Sequence, residues 1–213
     1  MKKILFTTFI AFLLVNIAYS QTYKYNIISN GQNVGELTAT QTIGGGTATQ
    51  STDGDAATQT TSGEQMTINI VSNFNAHFFI TVHVKYEMNC KYINGNLVDS
   101  SVETFKNEEL HSSSKGKKTN GAYKTIEDGD ESTHEGDILY SGGMLYFKEP
   151  KGITHVFSEI HAIEKPVKEV NTNHFMLTDP ETGHTNQYFY RDGVLQKMIV
   201  GNALLTFTMV LIR

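Results

Sequence analysis

Metal binding is the first chemistry to weigh in a chain of 213 residues with eight histidines and a single cysteine. His77 and His83 share a face of one alternating segment with Glu87, but six residues of strand put the two imidazoles about 20 Å apart. One ion cannot reach both. His155 and His161 flank Glu159, and His174 and His184 flank Asp179, yet neither pair has a ligand spacing such as His-Glu-x-x-His. No metal site is expected. Glu103, Glu108 and Glu109 with Asp99 read as solvent-facing charges on strands and turns. The chain has no Gly-x-Ser-x-Gly elbow, no phosphate-binding glycine loop and no zinc-type cysteine set, so no catalytic residue and no cofactor are expected. Cys90 lies on an apolar row, where a thiol behaves as a small hydrophobe, and as the sole cysteine it forms no intramolecular disulfide.

The chemistry that the residues do favour is apolar binding. In HFFITVHVKYEMNCKY (77–92) every even position is apolar or aromatic: Phe78, Ile80, Val82, Val84, Tyr86, Met88, Cys90 and Tyr92. The odd positions are polar apart from Phe79. This alternation predicts one long β-strand of roughly 50 Å with a buried face. A strand of that length bends, so its sheet should be strongly curved. A second apolar stretch holds Leu139, Tyr140, Met144, Leu145, Tyr146 and Phe147, and predicts a short helical turn or lid over Ile138–Phe147. The residues expected to line a ligand are therefore Phe78, Ile80, Val82, Val84, Tyr86, Met88, Tyr140, Tyr146 and Phe147.

The elements that would position these residues are strands. Residues 1–20 read as a signal peptide, with Lys2 and Lys3, an apolar run from Ile4 to Val15, and Ala18-Tyr19-Ser20 before a cleavage point at Gln21. The run is too short for a lasting membrane span. Residues 21–213 then form one domain. Turn signals recur at Asn30-Gly31, Asn94-Gly95, Asn120-Gly121, Asp128-Gly129, Gly142-Gly143 and Asp192-Gly193, between runs rich in Thr, Val, Ile, Tyr and Phe. The pattern predicts an all-β, antiparallel fold: a strongly curved sheet or incomplete barrel, a half-barrel with a short lid. Residues 161–165 and 167–171 read as two strands, and 130–135 are not assigned to one. A Thr-, Gln- and Gly-rich stretch near 44–63 reads as a polar hairpin tip or loop.

The central hairpin has a predictable register. A two-residue loop would set Cys90 against Asp99 and Tyr86 against Glu103. A three-residue loop, Asn94 to Asn96, pairs Tyr92 with Val98, Met88 with Val102 and Tyr86 with Thr104, and places Lys91 beside Asp99. The second arrangement keeps charges off the apolar row and is expected.

Beyond the leader, 15 basic residues (17 less Lys2 and Lys3) face 22 acidic ones, a net charge of about −7. Without a basic cluster larger than Lys115, Lys117 and Lys118, nucleic acid and anionic membrane are not expected partners.

The stretches TYKYNIISNGQNVGELTAT, NGNL, DILYSGGMLYFKEP, HVFSE and NQYFYRDGVLQKMIV resemble a family of uncharacterised secreted proteins of Gram-negative bacteria, over most of residues 22–212. More distantly, the strand order resembles LolA-like half-barrels, which wrap an open antiparallel sheet around an apolar cavity closed by a lid. The resemblance implies an exported protein, periplasmic or extracellular. With the apolar row it sets the expected function as non-enzymatic binding of a lipid-like apolar or amphipathic ligand on the concave face. A structural or adhesive envelope protein, an outer-membrane β-barrel and an envelope hydrolase are the other expectations.

Overall fold

Five Asx-Gly pairs set the turns of this chain. Asn30-Gly31, Asn94-Gly95, Asn120-Gly121, Asp128-Gly129 and Asp192-Gly193 all have both residues at positive φ. That is the type I′ geometry whose twist matches antiparallel strands, and Asn, Asp and Gly reach it with least strain. The structure is a computed structural model that describes residues 18–51, 58–77, 80–201 and 206–213.

The strands follow in chain order: β1 (Tyr19–Ser29), β2 (Gln32–Ser51), β3 (Thr58–His77), β4 (Thr81–Ile93), β5 (Asn96–Lys106), β6 (Glu109–Thr119), β7 (Ala122–Glu127) and β8 (Asp130–Glu135). A linker with a 3₁₀ turn at Gly142–Tyr146 leads to β9 (His155–Ser158), β10 (Ile163–Asn171), β11 (His174–Thr178), β12 (Thr185–Arg191), β13 (Val194–Gly201) and β14 (Thr206–Leu211). All fourteen form one antiparallel sheet in the order β8 to β1, then β14 down to β9. Two meanders are thus joined where β1 pairs with β14, Ile27 opposite Met209.

The sheet rolls until its ends approach, without closing into a hydrogen-bonded barrel. Tyr123 of β7 packs edge-on against Phe157 of β9, and His134 of β8 packs on the same ring, at centroid distances of 5.6 and 5.5 Å. These strands stand at opposite ends of the sheet order. Fourteen strands cannot stay flat under their own right-handed twist, and an apolar inner face draws the roll inward. The inner rows carry Tyr25, Ile27, Leu37, Ile70, Met88, Phe175, Tyr188 and Met198, all buried. The outer row of β4 carries Lys85, Glu87, Asn89 and Lys91, facing Asp99 and Glu103 of β5. A lipid-facing barrel needs an apolar band there. The open edge and this charged outer row replace the outer-membrane barrel with a rolled, open sheet.

The long strand expected over 77–92 is divided. His77 ends β3 and pairs with Thr81 at the start of β4, so the chain reverses within the alternating stretch. Ile80 sits at that reversal and is 70% exposed. The alternation persists across the reversal because adjacent strands share one inner face, so periodicity alone does not mark the break. The central hairpin reaches its expected register by another route. Tyr86 pairs with Thr104, Met88 with Val102 and Lys91 with Asp99, but the loop has two residues and a β-bulge follows. Tyr92 opposes Leu97, and Val98 is the additional residue. The bulge thus does what a third loop residue would have done.

Two other expectations change. Residues 163–171 form one strand, β10, that pairs with β9 through Pro166 and with β11 from Val167, and residues 161 and 162 belong to the turn before it. Proline stands where the ladder changes partner, a place that tolerates its missing N–H. Residues 130–135 form β8, an edge strand of sequence DESTHE that has no apolar alternation to reveal it. Of the stretch near 44–63, residues 44–51 and 58–63 continue β2 and β3 as a two-stranded arm, with Gly46 opposite Gly63 and Ser51 opposite Thr58.

Cys90 makes the hairpin register measurable, because it is buried and the chain has no other thiol. Deleting Val98 removes the bulge and leaves both faces as they are, so the variant should fold with Cys90 unreactive to a thiol reagent. Deleting Ser100 brings Asp99 or Glu103 onto the inner row, at a cost of several kcal/mol. That variant should expose Cys90 and lose its cooperative thermal transition.

Candidate functional site

The linker crosses the inside of the rolled sheet and is tied in its first part to strands from both meanders. Leu97 of β5 donates its N–H to Ile138 O at 2.9 Å, and Phe157 of β9 donates to Tyr140 O at 3.1 Å. Between them lies a buried carboxylate. Glu159, in the turn after β9, is 1% exposed. Its Oε1 accepts from Ser141 Oγ at 2.6 Å, from the Gly143 N–H at 3.0 Å and from Cys90 Sγ at 3.4 Å. Its Oε2 accepts the Gly142 N–H at 3.0 Å. Tyr92 and Ser141 share a further hydrogen bond of 2.6 Å, and Ser114 of β6 donates to the Glu159 carbonyl at 2.7 Å.

Gly142 and Gly143, expected as a turn, instead open the 3₁₀ turn with their N–H groups aimed at this carboxylate. A Cβ on Gly142 would lie 2.7 Å from Glu159 Oε2, so the approach requires glycine. Burial is the first cause that pushes the Cys90 thiol up, with the Glu159 charge next. The thiol therefore stays protonated and donates, which is a structural role and not a nucleophilic one.

Held in this way, the 3₁₀ turn forms one wall of a cavity of about 330 Å³ inside the roll. Gly142, Leu145 and Tyr146 contribute from the turn, and Val84, Tyr86 and Met88 from β4. Phe74, Met198, Val200, Phe207 and Met209 complete most of the apolar lining. Phe74 and Phe207 meet edge-on at 4.9 Å, joining the two meanders at one end of the space.

Most inward tyrosines are tied to the protein. Tyr25 donates to Leu195 O at 3.3 Å, Tyr190 to Leu145 O at 2.7 Å and Tyr123 to Ser100 Oγ at 2.7 Å. Tyr86 and Tyr146, both on the cavity wall, have no hydrogen-bond partner among the described residues. Burial, then the neighbouring charges, push both hydroxyls well above the ordinary tyrosine range. Both remain protonated donors in a largely apolar space.

Of the residues expected from sequence, Val84, Tyr86, Met88 and Tyr146 stand on the cavity wall. Val82 is on the same inner row but beyond the cavity, opposite Ala76. Ile80 is displaced to the exposed bend, because the strand reverses there. Phe78 lies outside the described residues. Tyr140 is buried behind the turn and its hydroxyl donates to Lys148 O. Phe147 stacks on Tyr23 at 5.7 Å, also away from the cavity. Sequence reasoning missed Glu159, Ser141, Gly142 and Gly143 as a unit. The spacing of Ser-Gly-Gly and Ser-Glu carries no signal that they meet.

A smaller, more polar cavity of about 200 Å³ adjoins the first, lined by His161, Lys165, Asp179, Thr182, His184 and Asn186 among others. Lys165 and Asp179 form an ion pair of 2.8 Å there. Among the described residues, no group of three or more His, Cys, Asp or Glu is placed to hold a metal ion. No helix among them is long and apolar enough to cross a membrane.

Comparison with known proteins gives a family and a structure. The family described as a domain of unknown function, DUF6134, matches residues 54–212. A β-barrel-like protein of the domain of unknown function DUF1849 from Brucella abortus is similar at 12% identity and a TM-score of 0.48, over 90% of this chain and 95% of that one. No curated protein matches the chain.

Two measurements test this site. Glu159→Gln places an amide donor against donors that had an acceptor, at about 1–3 kcal/mol for each group stranded. Urea unfolding should show a loss of roughly 2–4 kcal/mol, with Cys90 becoming reactive. The second concerns acid. Lys165, hydrogen-bonded to Asp179, is the first cause that holds the Asp179 carboxyl well below the usual carboxylate range. A lowered folded value contributes stability that is complete above the unfolded value, about 3.9. That contribution is lost as pH falls through the folded value. Lys165→Met should therefore move the acid-unfolding midpoint to higher pH, with its deficit largest above about pH 4 and shrinking in stronger acid.

Proposed function

The chain belongs to the DUF6134 family, a domain of unknown function, and we propose that it is an exported, non-enzymatic binding protein for a lipid-like ligand. The observation that carries this reading is the cavity of about 330 Å³ in which Tyr86 and Tyr146 keep unpaired hydroxyls among apolar side chains. A structural core packs such space shut, since close-packed interiors hold few voids larger than a water molecule. A few convergent donors in an apolar pocket are the pattern of small-molecule sites. The volume is near the lower end of the usual range of roughly 300–1,000 Å³, which favours a single-chain or ring-sized ligand over a two-chain lipid.

Export to the periplasm or the extracellular space rests on residues 1–20, whose charge pattern is that of a signal peptide. The LolA-like resemblance supports the same picture of a sheet around an apolar cavity with a lid. In this reading the linker with its 3₁₀ turn is the lid, and Glu159 keeps it shut.

A second reading, as a structural or adhesive envelope protein, has one specific observation behind it. The β2–β3 arm runs past its neighbours: β1 starts its pairing at Ile43 and β4 ends at Gln65. Residues 44–51 and 58–63 carry no charge and no proline, the features that usually guard a free strand edge.

Native mass spectrometry of protein prepared without detergent should show an N-terminus at Gln21 and a bound species. Val84→Phe fills the cavity and should remove the added mass while leaving thermal stability within about 1–3 kcal/mol of the parent. Deleting residues 44–62 should spare the bound species. A clean apo mass from the parent, with surface association lost on that deletion, favours the adhesive reading instead.

A further inference from the structure

The two cavities share four wall residues, Lys165, Leu177, Asn186 and Val200. Leu177, Asn186 and Val200 are consecutive partners in one row across β11, β12 and β13, so the row runs along the boundary between the spaces. On one side the lining is mostly apolar, and its one acidic residue, Glu159, is bonded to the linker through both oxygens. On the other stand Lys165, Asp179, Thr182, His161 and His184. Such a sequence of walls matches a molecule with an apolar tail and a polar head.

The sign of the head follows from counting donors and acceptors. Asp179 is engaged on both oxygens: Oδ1 accepts the N–H groups of Glu181 at 3.1 Å and Thr182 at 2.9 Å, and Oδ2 accepts Lys165 at 2.8 Å. An ammonium has three N–H donors, and Lys165 has no partner besides Asp179 among the described residues. Its side chain is only 17% exposed, so solvent screens it weakly. His161 already faces Glu127 at 3.0 Å, which leaves Lys165 as the cation directed at both spaces. Lys165 thus has N–H donors to offer, whereas both oxygens of Asp179 are already engaged within the protein.

We propose that the ligand is a single-chain amphiphile with an anionic oxygen headgroup, its chain in the apolar cavity and its head on Lys165 at the boundary. This rests on the ligand-binding reading above and adds the headgroup to it. Binding forms charge-assisted hydrogen bonds to the ammonium without breaking the Asp179 pair.

Four twelve-carbon probes at submicellar concentration test it by displacement of a fluorescent reporter: dodecanoate, dodecyl phosphate, dodecanol and dodecyltrimethylammonium. At least one anion should bind about tenfold or more tighter than dodecanol, and the tighter anion identifies the headgroup. Lys165→Met should bring the anions down to dodecanol without weakening dodecanol itself, and Lys165→Arg should keep the preference. Cys90 reactivity checks that each variant is folded. Equal binding of anions and alcohol by the parent, a preference that survives Lys165→Met, or tighter binding of the cation overturns the headgroup inference and leaves apolar binding standing. If none of the four binds, the ligand-binding reading falls with it.

Discussion

A buried carboxylate with no ion-pair partner among the described residues holds this molecule together at its centre. Removing an ionised group from water costs several kcal/mol even after relaxation. Glu159 offsets that cost with two backbone N–H groups, a serine hydroxyl and a thiol, all within 3.4 Å. The partners come from two places, β4 and the linker, while Glu159 itself stands in the turn after β9. Satisfying one side chain therefore fixes the linker across the roll and binds the two meanders through it. The arrangement is all-or-none, since a half-satisfied buried network is worse than an apolar one.

From that anchor the rest of the architecture follows. A sheet of fourteen strands must curl, and its inner face must be covered. Packing covers most of it, with the two meanders meeting through Phe74 and Phe207 and the linker packing on β1 through Tyr146 and Tyr25. The linker covers a further part because Glu159 holds Gly142 and Gly143 in place. What remains is a space too large for a packing defect, with Tyr86 and Tyr146 on its wall. The sheet stays open at β8 and β9, where aromatic contacts through Phe157 take the place of backbone hydrogen bonds.

Local chemistry was readable and distant chemistry was not. The Asx-Gly turns announced themselves because few other residues accept two successive positive φ values. The pairing of Met88 with Val102 followed from keeping Asp99 and Glu103 off the inner row, although the chain achieves it with a bulge at Val98 instead of a longer loop. The break before Thr81 was hidden, since an inner face that continues across a hairpin leaves the alternation intact. β8 was invisible because an edge strand exposed at every position but His134 has no period to show. Val84, Tyr86, Met88 and Tyr146 were legible as inward-facing residues from their pattern. Glu159 was not: its partners Cys90 and Ser141 are 69 and 18 residues away, and only the rolled fold brings them together. Lys165 and Asp179 escaped notice for the same reason.

Amide hydrogen exchange at Gly142 and Gly143 tests the central claim most directly, because these two N–H groups belong to the linker and end on the Glu159 carboxylate. If that carboxylate holds the linker as a fixed wall, both amides exchange only through global unfolding, at the rate of the β4 amides around Met88. Rapid exchange at Gly142 and Gly143 while β4 stays protected would show a linker free of Glu159, and would contradict the account.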